Sequence, residues 1–134
     1  MMTLTYTAKF DAAHYLPEYN GPCRNLHGHT WRVEVEITGT PDPSTGMIVD
    51  FREMKKALEE ILPDHTLINT HPLFAEIKFP TAESLSLIFF YEIKKRFPSI
   101  RRVTVFESDH ASTYVAEAWS DSNTPRLRMS RGEP

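Results

Sequence analysis

The chain has 134 residues and a mass of 15.5 kDa, 40% hydrophobic and 25% charged, which supplies one core, leaves no room for a second domain and excludes disorder of the whole chain. Fifteen Lys and Arg against eighteen Asp and Glu give a formal charge of -3, with no basic run of the kind a nucleic acid backbone selects, so nucleic acid is excluded as a partner. The single cysteine, Cys23, cannot form a disulfide within the chain, and no stretch reaches the ~18 apolar residues of a membrane span. Together these predict a cytoplasmic soluble protein without a membrane partner.

From Leu4 the apolar side chains alternate as Leu4, Tyr6, Ala8 and Phe10, with Thr3, Thr5, Thr7 and Lys9 between them, the period of a half-buried strand. After a loop rich in Pro, Asn and Gly the alternation returns, with Trp31, Val33, Val35 and Ile37 on one face and Arg32, Glu34, Glu36 and Thr38 on the other. This second strand is expected antiparallel to the first. Gly39, Pro41, Pro43 and Gly46 then break the pattern. Asp50 stands at an N-cap position before Phe51, Met54, Leu58 and Ile61, whose spacing marks one helical stripe ending at or before Pro63. Thr81, after Pro80, caps a second predicted helix carrying Leu85, Ile88, Phe89, Ile93 and Phe97 and stopped by Pro98. Val103 and Val105, then Tyr114, Ala116 and Ala118, mark two more short strands around Ser108 to Ala111. The fold class is therefore α+β with the order ββααββ: an antiparallel four-stranded sheet with both helices on one face. Its open edge strands invite pairing with other copies. The domain is taken as residues 1–119, and residues 120–134 read as a polar tail without periodicity.

Six histidines is a high count for this length. His27 and His29 are two apart at the entry to the second strand, so both imidazoles leave one face, with Gly28 adding no bulk. His14 follows the first strand, and an antiparallel return brings it near them. Three imidazoles suit zinc and leave a fourth position open for a substrate or water. Cys23 admits the competing arrangement, a closed and purely structural site of one thiolate and three imidazoles. Asp64 and His65, in the connection after the first helix, form a carboxylate–imidazole dipeptide of the kind that serves as general acid or base. Glu107 follows Val103 and Val105 in alternation and could accept adjacent N–H donors of a heterocycle.

These residues also resemble a family. Phe10-Asp11-Ala12-Ala13-His14 and Cys23-Arg24-Asn25-Leu26-His27-Gly28-His29 look like the metal and thiol signature of the 6-pyruvoyltetrahydropterin synthase and 6-carboxytetrahydropterin synthase family. The resemblance continues through Gly46-Met47-Ile48-Val49-Asp50-Phe51, Asp64-His65-Thr66-Leu67-Ile68-Asn69, Pro80-Thr81-Ala82-Glu83 and Glu107, and so covers nearly everything but the tail. It implies a tunnelling fold, in which subunits join their sheets into a barrel with active sites between neighbours, and a homo-oligomer that is trimer-based and hexameric. It implies Zn2+ on His14, His27 and His29, Cys23 as general base, and Asp64 with His65 completing the proton relay from an adjacent subunit. Glu107 would hold the pterin ring of a small-molecule substrate, with Thr81 and Glu83 close by. The three-residue spacer between Cys23 and His27 is similar to the 6-carboxytetrahydropterin branch, which acts on 7,8-dihydroneopterin triphosphate on the way to 7-deazaguanine and queuosine; a longer spacer is usual in the pyruvoyl-forming branch. Pro63, Phe79, Ser84 and His110 depart from the family's pattern, which bears on substrate detail rather than on the ligands.

Overall fold

The computed structural model describes residues 1–116. Ala118, the boundary at 119 and the tail over 120–134 lie outside the described residues. The alternating segments form β1 (Met2–His14) and β2 (His27–Gly39), followed by α1 (Phe51–Ile61), the two-residue β3 (Thr66–Leu67), α2 (Ala82–Lys94), β4 (Ile100–Ser108) and β5 (Ala111–Ala116). The sheet order is β3-β1-β2-β4-β5. It therefore has five strands rather than the expected four, the extra one being β3, which pairs parallel to β1 at Ala12 and Ala13. Two residues carry no period, so nothing local marks this strand. The other pairings are antiparallel, as expected.

β1 and β2 are longer than their alternating cores suggest, and both extend into the histidines. Their register sets Phe10 opposite Trp31, Ala12 opposite His29 and His14 opposite His27. One face of the sheet, with Phe10, Trp31, Val33, Val35, Ile37, Val103 and Val105, is buried under Met54 and Leu58 of α1 and Leu85, Phe89 and Ile93 of α2 in a single core. Phe51 departs from the predicted stripe: at the first position of α1 it is exposed and lies by the Tyr6 ring of β1. Both caps are as expected: the Asp50 carboxylate accepts from the Arg52 N–H, and the Thr81 hydroxyl accepts from the Ser84 N–H. Helix α2 stops at Lys94, four residues before Pro98, and Phe97 packs against the core from beyond its end. The opposite face of the sheet, carrying Lys9, Arg32, Glu34 and Glu36, has no helix over it among the described residues.

Candidate metal and proton-transfer site

The register of β1 and β2 gathers three imidazoles on the helix-covered face, at the end where the core stops. The ring nitrogens of His14, His27 and His29 that could serve as ligands all lie within 4.8 Å of one another. Trp31 forms the floor: its ring meets those of His14 and His29 edge-on, with centroids 5.0 and 5.4 Å away, and its indole N–H reaches the Ala12 carbonyl at 3.3 Å. Backbone carbonyls orient two of the rings. His14 Nδ1 lies 2.8 Å from the Pro80 carbonyl and His27 Nδ1 lies 2.7 Å from the Asn25 carbonyl. A carbonyl only accepts, so each Nδ1 carries its proton and donates it, and each Nε2 is left with a lone pair. Pro80 is held in place by the Thr81 cap, and the start of α2 thereby sets the His14 tautomer.

His14 Nε2 and His29 Nε2 are buried and make no hydrogen bond among the described residues. Two buried, unpartnered imidazole nitrogens converging on one point are costly in a folded chain unless something binds them. Glu107 does not discharge that cost. Its carboxylate oxygens lie 3.6 Å from His29 Nε2 and 4.0 Å from His14 Nε2, beyond hydrogen-bond distance. Burial, the largest effect on each, pushes both imidazoles below their usual pKa, while Glu107 works the other way. They are therefore neutral near pH 7, as metal ligands must be. The donor set, its tautomers and its unpartnered nitrogens fit a divalent cation that prefers nitrogen, zinc among them.

Cys23 is half-buried in a short turn of 3-10 helix, Pro22–Arg24, whose Cys23 carbonyl accepts from the Leu16 N–H at 2.8 Å. Among the described residues, the group of ligand atoms within 4.8 Å of one another comprises His14, His27 and His29 without Cys23.

Asp64 and His65 are brought together outside the imidazole group, and His65 lines a recess with His29. His65 Nδ1 lies 3.0 Å from Asp64 Oδ2, and both side chains are exposed, His65 at 78%. The pair is built on β1: the Asp11 N–H donates to Asp64 Oδ1 at 2.9 Å and the Asp11 carbonyl accepts from the His65 N–H at 2.6 Å. His65 has φ +56°, a left-handed conformation that costs a non-glycine residue energy and is held here by that backbone bond. The Asp11 amide, first, and His65, second, hold the Asp64 carboxyl below its ordinary range. Thr81 spends its hydroxyl on the helix cap, and Glu83 is exposed in the first turn of α2.

Several residues shape the site in ways that residue type does not reveal. Asn69 clamps the backbone next to His14, accepting from the Tyr15 N–H at 3.0 Å and donating to the Tyr15 carbonyl at 2.9 Å. The carbonyls of Pro80 and Asn25 and the peptide of Asp11 act through backbone groups that any residue type carries. The segments that resemble the family contain Asp11, Asn25, Asn69 and Pro80 alike, and give none of them these roles.

A fold with a half-closed imidazole site at the end of its sheet defines a class, and comparison with known proteins specifies it. The family described as 6-pyruvoyl tetrahydropterin synthase matches residues 3–118, and the chain belongs to that family. It is 36% identical over 110 residues to a putative 6-carboxy-5,6,7,8-tetrahydropterin synthase of Archaeoglobus fulgidus, covering 81% of this chain and 90% of that one. It is 32% identical over 126 residues to the 6-carboxy-5,6,7,8-tetrahydropterin synthase of Synechocystis, covering 88% and 93%. Among solved structures, the 6-pyruvoyl tetrahydropterin synthase of Caenorhabditis elegans superposes with a TM-score of 0.77 at 24% identity, over 86% of this chain and 94% of that one. The fold is the tunnelling fold.

Proposed function

We propose that this protein is a zinc-dependent 6-carboxy-5,6,7,8-tetrahydropterin synthase. It would convert 7,8-dihydroneopterin triphosphate and water to 6-carboxy-5,6,7,8-tetrahydropterin, acetaldehyde and triphosphate, a step toward 7-deazaguanine and queuosine. The observation that carries this is the pair of buried, unpartnered Nε2 atoms of His14 and His29 converging with His27 beside the Glu107 carboxylate. Similarity to relatives named for this activity supports the choice of reaction.

His14, His27 and His29 would hold the ion. When bound, zinc supplies a Lewis acid for the hydroxylated side chain of the substrate. Glu107 accepts the ring N–H donors of the pterin, and so sets the side chain against the imidazoles. Thr81 and Glu83, beside Pro80 at the start of α2, border the ring. Cys23 takes a proton from a side-chain carbon; a free thiol titrates near ~8.5, so this role requires a cationic environment. His65, oriented by Asp64, returns the proton on the other side. Because the Asp64 and His65 side chains are exposed, their partner in that transfer would be the site of a neighbouring subunit. The outer edge of β1, paired only at Ala12 and Ala13, supports a homo-oligomer, trimer-based and hexameric, with sites between subunits. Incubating the zinc-loaded protein with 7,8-dihydroneopterin triphosphate and identifying products by mass spectrometry tests the proposal. Acetaldehyde with a 6-carboxy pterin is expected; a 6-pyruvoyl product would move the chain to the other branch, and no product would overturn the enzymatic reading.

A further inference from the structure

Lys9 and Arg32 face each other directly across the β1–β2 ladder, on the sheet face opposite the core, which no helix covers among the described residues. Like charges directly opposite in an antiparallel pair are destabilising, and neighbouring acids relieve this one poorly. Among the described residues no carboxylate lies within 4.0 Å of Lys9, and the one near Arg32, Glu34, is 3.8 Å from Nε, too far for a hydrogen bond. The Arg32 guanidinium is fixed nonetheless: it lies 3.9 Å over the Phe106 ring, and its Nε is buried with no hydrogen-bond partner among the described residues. A positioned guanidinium with an unused buried donor, beside a free ammonium, has the chemistry of an anion subsite.

The two cations are also connected to the histidine face. Pairing between β2 and β4 ends at Arg32 opposite Phe106, next to an irregularity in β4 at Phe106 to Ser108. Beyond that point the strands part, and a recess of about 390 Å³ is lined by Lys9 and Arg32 together with His29 and Glu107. Glu107 and Asp109 bring negative charge to the same recess; Glu107 is engaged by the pterin under the proposal above, and Asp109 sits at the exposed turn between β4 and β5.

We infer that Lys9 and Arg32 form the subsite for the phosphate chain of the substrate, reached through the gap between β2 and β4. This rests on the proposed substrate, whose pterin ring and triphosphate lie at opposite ends of a three-carbon side chain. It assigns the discrimination between phosphorylated and unphosphorylated pterins to two residues outside the metal site.

Calorimetry with inorganic tripolyphosphate on the full chain tests the inference without turnover. Lys9→Met and Arg32→Gln are each expected to weaken tripolyphosphate binding about tenfold or more, the scale of one charged hydrogen bond. Binding of unphosphorylated 7,8-dihydroneopterin should stay within about twofold. Arg32→Lys, which keeps the charge, should retain more tripolyphosphate affinity than Arg32→Gln, and this separates charge from packing on Phe106. Tripolyphosphate that fails to bind the native chain, or binds it and the double variant equally, would overturn the subsite. Failure of the function proposal looks different: tripolyphosphate would still bind through Lys9 and Arg32, while dihydroneopterin would not bind and its triphosphate would not turn over.

Discussion

The histidine cluster and the Asp64–His65 pair share one strand, β1, and follow opposite building rules. The cluster is partly buried, with His14 only 2% exposed, the tautomers of His14 and His27 set by backbone carbonyls, and Nε2 of His14 and His29 without a hydrogen-bond partner among the described residues. The pair is open to solvent, internally hydrogen-bonded, and held by the Asp11 peptide in a strained backbone. Burial lowers the pKa of His14 and His29 and favours their neutral form, the form that metal binding requires. Exposure leaves His65 free to exchange protons with whatever covers it. The difference teaches that the β1–β2 register assembles the imidazole set within one chain, whereas the Asp64–His65 pair turns its side chains to solvent.

The comparison breaks most visibly at a ligand. His29→Ala should reduce zinc affinity by more than ~100-fold, since outer-shell losses alone cost 10–100-fold, and should abolish turnover; equilibrium dialysis and the product assay measure both. Next in size, His65→Ala and Asp64→Asn should lower kcat by ~10² to 10⁴ and leave zinc stoichiometry and the thermal midpoint unchanged, because these side chains are exposed. Loss of bound zinc in either variant would mean that the two regions are not separable.

Titration sharpens the contrast further. His14 and His29 titrate below 6.5 in the folded chain, so between their folded values and ~6.5 the unfolded chain binds more protons and stability rises with pH. The metal-free protein should hold this contribution in full above about pH 6.5 and lose it as pH falls through the lowered values. Denaturant unfolding across pH 5 to 8 tests the sign; a metal-free chain that gains stability on acidification contradicts it. The smallest effect belongs to the link between α2 and His14. Thr81→Ala should cost about 1 kcal/mol through the lost cap and, by loosening Pro80, weaken zinc binding by less than the loss of a ligand does.

Much of this was legible in the sequence because it rests on period. Alternation in Leu4 to Phe10 and Trp31 to Ile37 marks the strands, and extending the register two residues past Ala12 and His29 joins His14 to His27. The caps Asp50 and Thr81 were legible from residue type and position. What was not legible is carried by backbone groups and non-local pairing: the parallel β3, the carbonyls of Pro80 and Asn25, and the Asp11 peptide under Asp64 and His65. Residue type says nothing about where a carbonyl points. The location of the Cys23 thiol outside the imidazole set likewise depends on the loop between β1 and β2, which has no period to extrapolate. Lys9 and Arg32 read as an ordinary solvent face until the register sets them opposite each other.

The most direct test of the central claim is X-ray absorption at the zinc edge of the stoichiometrically loaded protein. The arrangement of His14, His27 and His29 predicts three nitrogen ligands at ~2.0–2.1 Å with light atoms completing the shell. A sulfur ligand at ~2.3 Å, which would draw Cys23 into a closed structural site, or zinc that does not bind stoichiometrically, would contradict it.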